Sequence, residues 1–264
     1  LMGDGVWEGL RVVNGRVAFL DRHLARLFEG AKAIDLDVGM SGPELTAALD
    51  ETLAANGMKD GVHIRLMVTR GLKATPYQDP RVNVGGPTIV IVPEHKEALP
   101  EIKERGVRLA TVHVRRGPPD VQDPKLNSHS KLNCITACIQ AAKAGADEGL
   151  MLDPRGFVAT CNSTNFFIVR DGEVWTSTPN WCMNGITRAV TLELCGENGI
   201  SARETDFSLT QVYGADEAFV TGTFAGQVPV REVDGRTIGG GGRGPVTARL
   251  QELYAERIRR ECGG

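Results

Sequence analysis

Apolar and polar residues alternate from Val12 to Leu20, and Asn14-Gly15 interrupts the alternation. Period-two patterning broken by an Asn-Gly pair predicts a short hairpin, because both residues tolerate the positive φ of a tight turn. Over 21–34 the period becomes helical, with Leu24, Leu27, Phe28, Ala31 and Ile34 on one stripe. A second helix is predicted over 42–56, with Ser41 as its cap. Apolar runs at 61–69, 88–93 and 107–114 predict three strands. The order β-α-α-β-β-β gives a small α+β lobe over 1–115.

Gly117-Pro118-Pro119 and Asp123-Pro124 sustain neither period, which predicts an ordered interdomain or active-site loop over 116–129. A larger α/β lobe, 130–264, opens with a helix over 131–145. Short strands are predicted at 148–152, 157–160, 166–170 and 174–176, then a helix over 188–199. Strands at 217–221 and 228–233 and a terminal helix over 246–260 complete it. There are no internal repeats, and 239–242 reads as a glycine-rich surface turn.

The 264 residues suffice for one large domain or two modest ones. A net charge of −3, with Lys and Arg dispersed, leaves no nucleic-acid footprint and points to small molecules or protein partners. With 41% apolar and 24% charged residues, the composition is that of a soluble globular protein. No apolar run approaches the roughly 18 residues of a membrane span. No signal-peptide pattern opens the chain, so the expected compartment is the cytoplasm. The first residue is Leu1 rather than Met, consistent with a trimmed N-terminus and an early strand outside the sequence. Six cysteines form no CxxC pair; Cys134 and Cys138 are four apart but no His joins them, and all six read as small core residues.

Four local patterns bear on chemistry, each with a plainer alternative. Gly185-Ile186-Thr187-Arg188 precedes a predicted helix, and free amides at a helix start beside a glycine make a phosphate cradle, or only a cap. Thr221-Gly222-Thr223-Phe224-Ala225-Gly226 offers amides and hydroxyls to an anion, or forms an ordinary turn. Arg26, in His23-Leu24-Ala25-Arg26-Leu27, either grips a phosphate bidentately or lies in water. Arg65 sits within the strand His63-Ile64-Arg65-Leu66, where a charge needs a partner, a ligand or a solvent-facing side.

Read together, the motifs resemble the class IV (fold type IV) pyridoxal-phosphate-dependent aminotransferases of the branched-chain and D-amino-acid type. The likeness runs through Asp4-Gly5-Val6-Trp7-Glu8-Gly9-Leu10-Arg11, the His23–Leu27 segment and Ala144-Gly145-Ala146-Asp147-Glu148-Gly149-Leu150-Met151-Leu152-Asp153. It continues through Asn165-Phe166-Phe167, Asn184-Gly185-Ile186-Thr187-Arg188, Ala215-Asp216-Glu217-Ala218-Phe219, Thr221-Gly222-Thr223 and Pro229-Val230, in the family's order over nearly the whole chain. The resemblance implies a D-amino-acid aminotransferase-like fold in a homodimer, with pyridoxal 5'-phosphate between two lobes and the active site near the subunit interface. It implies that Arg26 and the turn at Gly185, with the amides of Ile186 and Thr187, hold the phosphate. Thr223 and Phe224 serve the phosphate and substrate-carboxylate side, Arg65 faces substrate, and Trp7 walls the pocket, with Trp181 a further wall candidate.

Two positions depart from the family. Transamination needs a lysine that forms a Schiff base and shuttles a proton at the substrate Cα. Counting back from Asp147, the family's Asn falls on Ser130, its Tyr on Lys131, and its lysine on Asn127 or Leu126. Lys131 occupies the place of a residue that contacts the cofactor's phenolic oxygen, and it is the expected catalytic amine. Lys125, reached by a two-residue shift of 123–128, is the alternative, as is a solvated Lys131 without a chemical duty. An omitted residue beside Asn127 would also restore the family's register. Thr160 stands where the family has the Glu that protonates the pyridine nitrogen, so the ring is expected to be a weaker electron sink. Asp147, Glu148 and Asp153 read as structural acids, and His129 as a loop histidine able to tune Lys131.

The expected function is amino transfer between an amino acid and a 2-oxo acid, with no nucleic-acid or membrane partner. The alternatives are a lyase resembling aminodeoxychorismate lyase and a relative that kept the scaffold without standard pyridoxal chemistry.

Overall fold

In β1 (Gly5–Val13) every second residue, Val6, Glu8, Leu10 and Val12, turns inward, and Trp7, Gly9 and Arg11 lie on the opposite face. The predicted turn follows, with Asn14 at φ 52 and Gly15 at φ 71, and returns the chain through β2 (Arg16–Val17). α1 (Leu20–Ala33) and α2 (Gly42–Ala55) come next, then β3 (Val62–Thr69) and β4 (Thr88–His95). The strands form an antiparallel sheet in the order β2-β1-β3-β4. Leu24 and Leu27 of α1 and Leu45, Leu49 and Leu53 of α2 pack on Val6, Leu10, Ile64 and Leu66. Fourteen-residue helices are marginal alone, so burial of these leucines, about 2 kcal/mol each, is what fixes them. Residues 126–131 run beside the start of β1: Trp7 N donates to the Asn127 carbonyl at 3.0 Å, and His129 N to the Gly5 carbonyl at 3.0 Å.

The computed structural model describes residues 3–263, in two compact units. The elements above, with Leu126–Lys131 and the chain from Ile258, form the first; Ala98–Lys125 and Leu132–Arg257 form the second. The second holds α3 (Pro100–Arg105), β5 (Val107–Thr111), α4 (Pro119–Gln122), α5 (Leu132–Lys143), β6 (Glu148–Leu152), β7 (Val158–Cys161), β8 (Asn165–Arg170) and β9 (Glu173–Thr176). Next come α6 (Ile186–Glu197), β10 (Ala202–Glu204), α7 (Leu209–Tyr213), β11 (Glu217–Gly222), β12 (Gly226–Val233), β13 (Arg236–Thr237) and α8 (Pro245–Glu261), which runs on into the first unit's residues. The strands make a mixed sheet in the order β10-β9-β8-β11-β12-β5-β6-β7, with β13 beside β12.

Sequence boundaries and the observed division differ at β5. The strand lies within the predicted small lobe, yet it pairs in parallel with β6 and β12 of the larger sheet, so the units divide at Glu97 and Ala98. Parallel partners distant in sequence leave no local pattern. α6 begins at Ile186, two residues before the predicted start, and this places Thr187 in its first turn. The short α3, α4, α7, β10 and β13 carry too few residues to show a period. Cys161, Cys182, Cys195 and Cys262 are buried as expected; Cys134 is half-buried, and Cys138 is exposed, which corrects its assignment to the core. Among the described residues no helix is long and apolar enough to cross a membrane.

Candidate active site

Glu8 shares its face of β1 with Val6, Leu10 and Val12, so its carboxylate is completely buried. A charge there requires partners. Arg26 supplies two hydrogen bonds, Nε to Oε1 at 2.8 Å and Nη2 to Oε2 at 2.6 Å, and His23 Nδ1 meets Oε2 at 2.7 Å. Burial pushes the Glu8 carboxyl up, but the Arg26 and His23 hydrogen bonds and charges outweigh it and hold the group below the usual carboxylate range. Arg26 is therefore neither afloat in water nor an isolated cation: much of its charge is matched by Glu8. Sequence reasoning missed Glu8 as a functional residue. Its phase with Val6 and Leu10 was the available signal.

On the opposite face of β1, Trp7 gathers cations. The Arg65 guanidinium carbon lies 4.2 Å from the Trp7 ring centroid, and Lys131 Nζ lies 5.6 Å from it. Trp7 is itself fixed, its Nε1 donating to the Ser128 carbonyl at 3.1 Å. Arg65 is exposed and has no carboxylate partner among the described residues. Asn127, one of the two positions expected of the lysine, is buried; its Nδ2 donates to the Trp7 carbonyl at 2.6 Å and its Oδ1 has no partner among the described residues. An amide in that place cannot act as an amine. His129 lies two residues along, over Gly5, and burial together with the charges of Arg65 and Lys131 keeps its imidazole below the ordinary range despite a bond to the Val6 backbone. Lys125 belongs to the second unit, where it lines a cleft of about 460 Å³ with Arg155, Trp181 and Asp206. The Arg155 charge there is matched by Asp153 at 2.7 Å and Asp206 at 2.8 Å.

In the second unit, Gly185 is the cap residue of α6 and offers no side chain to its first turn, so among the described residues no side chain accepts from the amides of Ile186 and Thr187. A Cβ on Gly185 would collide with Asn165 Oδ1, and Asn165 Nδ2 donates to the Met183 carbonyl at 3.0 Å. Only glycine lets β8 and this turn approach so closely. Thr221 of β11 pairs with Asn165, and its buried hydroxyl has no partner among the described residues. Thr223 and Phe224 form the loop between β11 and β12, half-exposed and next to Gly222. Thr160 is buried in β7 and its hydroxyl donates to the Thr164 carbonyl at 2.8 Å. Glu148 supports that turn, accepting from Ser163 N at 2.8 Å, Ser163 Oγ at 2.7 Å and Thr164 Oγ1 at 2.9 Å. Burial nevertheless raises its carboxyl above the ordinary value.

Tested against pyridoxal phosphate, the residues divide. The uncapped α6 amides, the close turn at Gly185 and the orphaned Thr221 hydroxyl fit a phosphate. At Thr160, where the resemblance puts the ring nitrogen, the hydroxyl is neutral and already given to a carbonyl, which does not supply the charge that holds a proton on a pyridine nitrogen.

Comparison with known proteins bears on the whole chain. The sequence profile described as Amino-transferase class IV matches residues 5–233. Branched-chain-amino-acid aminotransferase-like protein 2 of Arabidopsis thaliana is 40% identical over 252 residues, 96% of this chain but 45% of that protein, so the chain spans less than half of that relative's length. D-alanine aminotransferase of Listeria monocytogenes is 33% identical over 268 residues, covering 99% of this chain and 89% of its own. The crystal structure of a T.th. branched-chain amino acid aminotransferase with pyridoxamine 5'-phosphate superposes with a TM-score of 0.91 at 31% identity, covering 98% of this chain and 86% of that one.

Proposed function

The chain belongs to the class IV aminotransferases, α/β enzymes of fold type IV whose cofactor is pyridoxal 5'-phosphate, and from that premise we propose that it transfers an amino group between an amino acid of the branched-chain or D-amino-acid type and a 2-oxo acid. The observation that carries this reading is the Trp7 face, where the Lys131 amine and the Arg65 guanidinium share one aromatic ring. We further take the enzyme to be a cytoplasmic homodimer.

When bound, the cofactor supplies an aldehyde carbon for the amino group and a conjugated ring that accepts electrons as the Cα proton leaves. Ile186 and Thr187 bind its phosphate through their amides at the positive end of α6, with Gly185 allowing the approach and Thr223 adding a hydroxyl. Arg26 offers less net charge to an anion than an unpaired arginine would, because Glu8 already holds two of its nitrogens. Arg65 orients the substrate through its carboxylate, with Trp7 as the wall beneath. Lys131 would supply the amine that holds the cofactor's aldehyde carbon, and its Nζ would move the proton at the substrate Cα. Thr160 would leave a pyridine nitrogen beside it without a fixed negative partner, so the ring would accept electrons less readily than one beside a carboxylate.

The test is a visible spectrum of the purified protein loaded with pyridoxal phosphate, then borohydride reduction and peptide mapping. The label should fall on Lys131, and Lys131→Ala should lose it together with roughly 10³-fold in turnover. A label on Lys125, or an unlabelled chain, would sink the assignment. The unlabelled result would favour a second reading, suggested by the buried amide of Asn127: a relative that binds the cofactor or substrate without an enzyme-borne amine.

A further inference from the structure

Asn165, Thr221 and Gln227 are directly paired across β8, β11 and β12, so their side chains share one face. The outer two are tied to α6 or to the turn before it. Asn165 holds the Met183 carbonyl, and Gln227 Nε2 donates to Thr191 Oγ1 at 2.9 Å. Thr191 Oγ1 in turn donates to the Thr187 carbonyl at 2.7 Å. Thr221, between them, presents the buried hydroxyl that has no partner among the described residues. The first turn of α6 is thus locked from below by neutral polar side chains, and an orphaned donor lies in the same row.

From α8 comes a different contact. Tyr254 is buried, its ring lies where a Cβ on Gly226 would come within 3.1 Å, and its hydroxyl stands 3.3 Å from Thr187 Oγ1. Either oxygen can donate, but each carries a single proton. A phosphate only accepts. If the Thr187 hydroxyl serves an anion at the α6 N-terminus, its proton must point there, and only the phenol proton is left for the Tyr254–Thr187 bond. We propose that Tyr254 is a positioning residue of the phosphate cradle: its O–H donates to Thr187 Oγ1 and so directs the Thr187 proton at the bound phosphate. The inference rests on the assignment of phosphate to α6 and adds to it a residue that no local motif marks. Polarisation along such a chain strengthens each bond in a buried setting, so loss of the phenol weakens a bond to an anion rather than a neutral contact.

Tyr254→Phe keeps the ring against Gly226 and deletes the donor. Its dissociation constant for pyridoxal 5'-phosphate should rise roughly tenfold, as expected for a hydrogen bond serving a charged group, and that for inorganic phosphate should rise in parallel. Pyridoxal, which lacks the phosphate, should bind within about twofold of wild type. In a Thr187→Val background, Tyr254→Phe should add nothing further, since its effect passes through that hydroxyl. Unchanged affinity for pyridoxal phosphate, an equal loss for pyridoxal, or full additivity with Thr187→Val would overturn the relay. Should Tyr254→Phe not fold, Thr187→Ser against Thr187→Val decides: the serine should keep the phosphate-specific affinity and the valine lose it, and equal affinities would overturn the relay. All these readouts are binding constants, so a wild type that binds the cofactor without transaminating removes the proposed activity and leaves the relay standing. A wild type that binds neither pyridoxal phosphate nor inorganic phosphate overturns both.

Discussion

Glu8 shows how much of a site can depend on one residue that looks inconspicuous in the sequence. Its carboxylate satisfies two Arg26 nitrogens and His23 Nδ1 in a place without solvent. Glu8→Gln removes the charge and puts an amide N–H₂ against donors, leaving Arg26 uncompensated; the expected loss of stability is about 3 to 5 kcal/mol. Urea unfolding would read it, and a loss below about 0.5 kcal/mol would show that the cluster relaxes freely. The position is legible in principle, since strand periodicity puts Glu8 in phase with Val6 and Leu10. It is obscured because Gly5, Trp7 and Gly9 dilute the apolar signal, so the alternation stands out only from Val12 onward. Motif register alone locates Lys131 and Asn127, and the structure puts the first on the Trp7 face and the second in a hydrogen bond to the Trp7 carbonyl. Tyr254 is not legible at all, because its partner Thr187 is 67 residues away.

Elements are legible where local chemistry sets their ends. Ser41, the expected cap of α2, forms a reciprocal box there: Glu44 N donates to Ser41 Oγ at 3.4 Å and Ser41 N donates to the Glu44 carboxylate at 2.7 Å. Ser41→Ala should cost about 1 kcal/mol, and Glu44→Ala a smaller amount, in thermal or chemical melts. An unchanged midpoint for Ser41→Ala would mean that Pro43 and the packing of Leu45, Leu49 and Leu53 alone determine the start of the helix. α6 is legible in its body but not at its beginning, because Gly-Ile-Thr offers no side-chain cap to mark the first turn. That same lack is what fits its amides to the phosphate proposed there, so the boundary misread in the sequence coincides with the proposed cradle. β5 is legible as a strand and illegible as a member of the larger sheet, since its partners β6 and β12 are distant from it and from each other along the chain.

At the scale of the molecule, two consequences follow from how charge and apolar surface are distributed. Glu8 and Asp4 both titrate below their ordinary values, Asp4 through its hydrogen bond from Arg70. A depressed folded-state pKa contributes stability that is present above the unfolded pKa and is lost as pH falls towards the folded one, so stability should decline below about pH 4.5. Glu148 acts with the opposite sign, because burial raises its pKa and protonation favours the fold, which softens that decline. Melting temperatures that stay level from pH 6 to below pH 4 would contradict the first assignment. The apolar surface points to association. Leu132, Ile135 and Ile139 follow helical spacing along α5 and are 73%, 52% and 50% exposed, while Ala137 and Ala141 face the core. A stripe of large side chains left in water on a helix whose other face is satisfied is costly and is relieved when a second chain covers it. If the homodimer uses this stripe, sedimentation should give twice the protomer mass, and Ile135→Glu with Ile139→Glu should give the protomer mass at an unchanged circular dichroism spectrum. A wild type at the protomer mass would end the homodimer proposal, and a double variant that stays dimeric would move the interface away from α5.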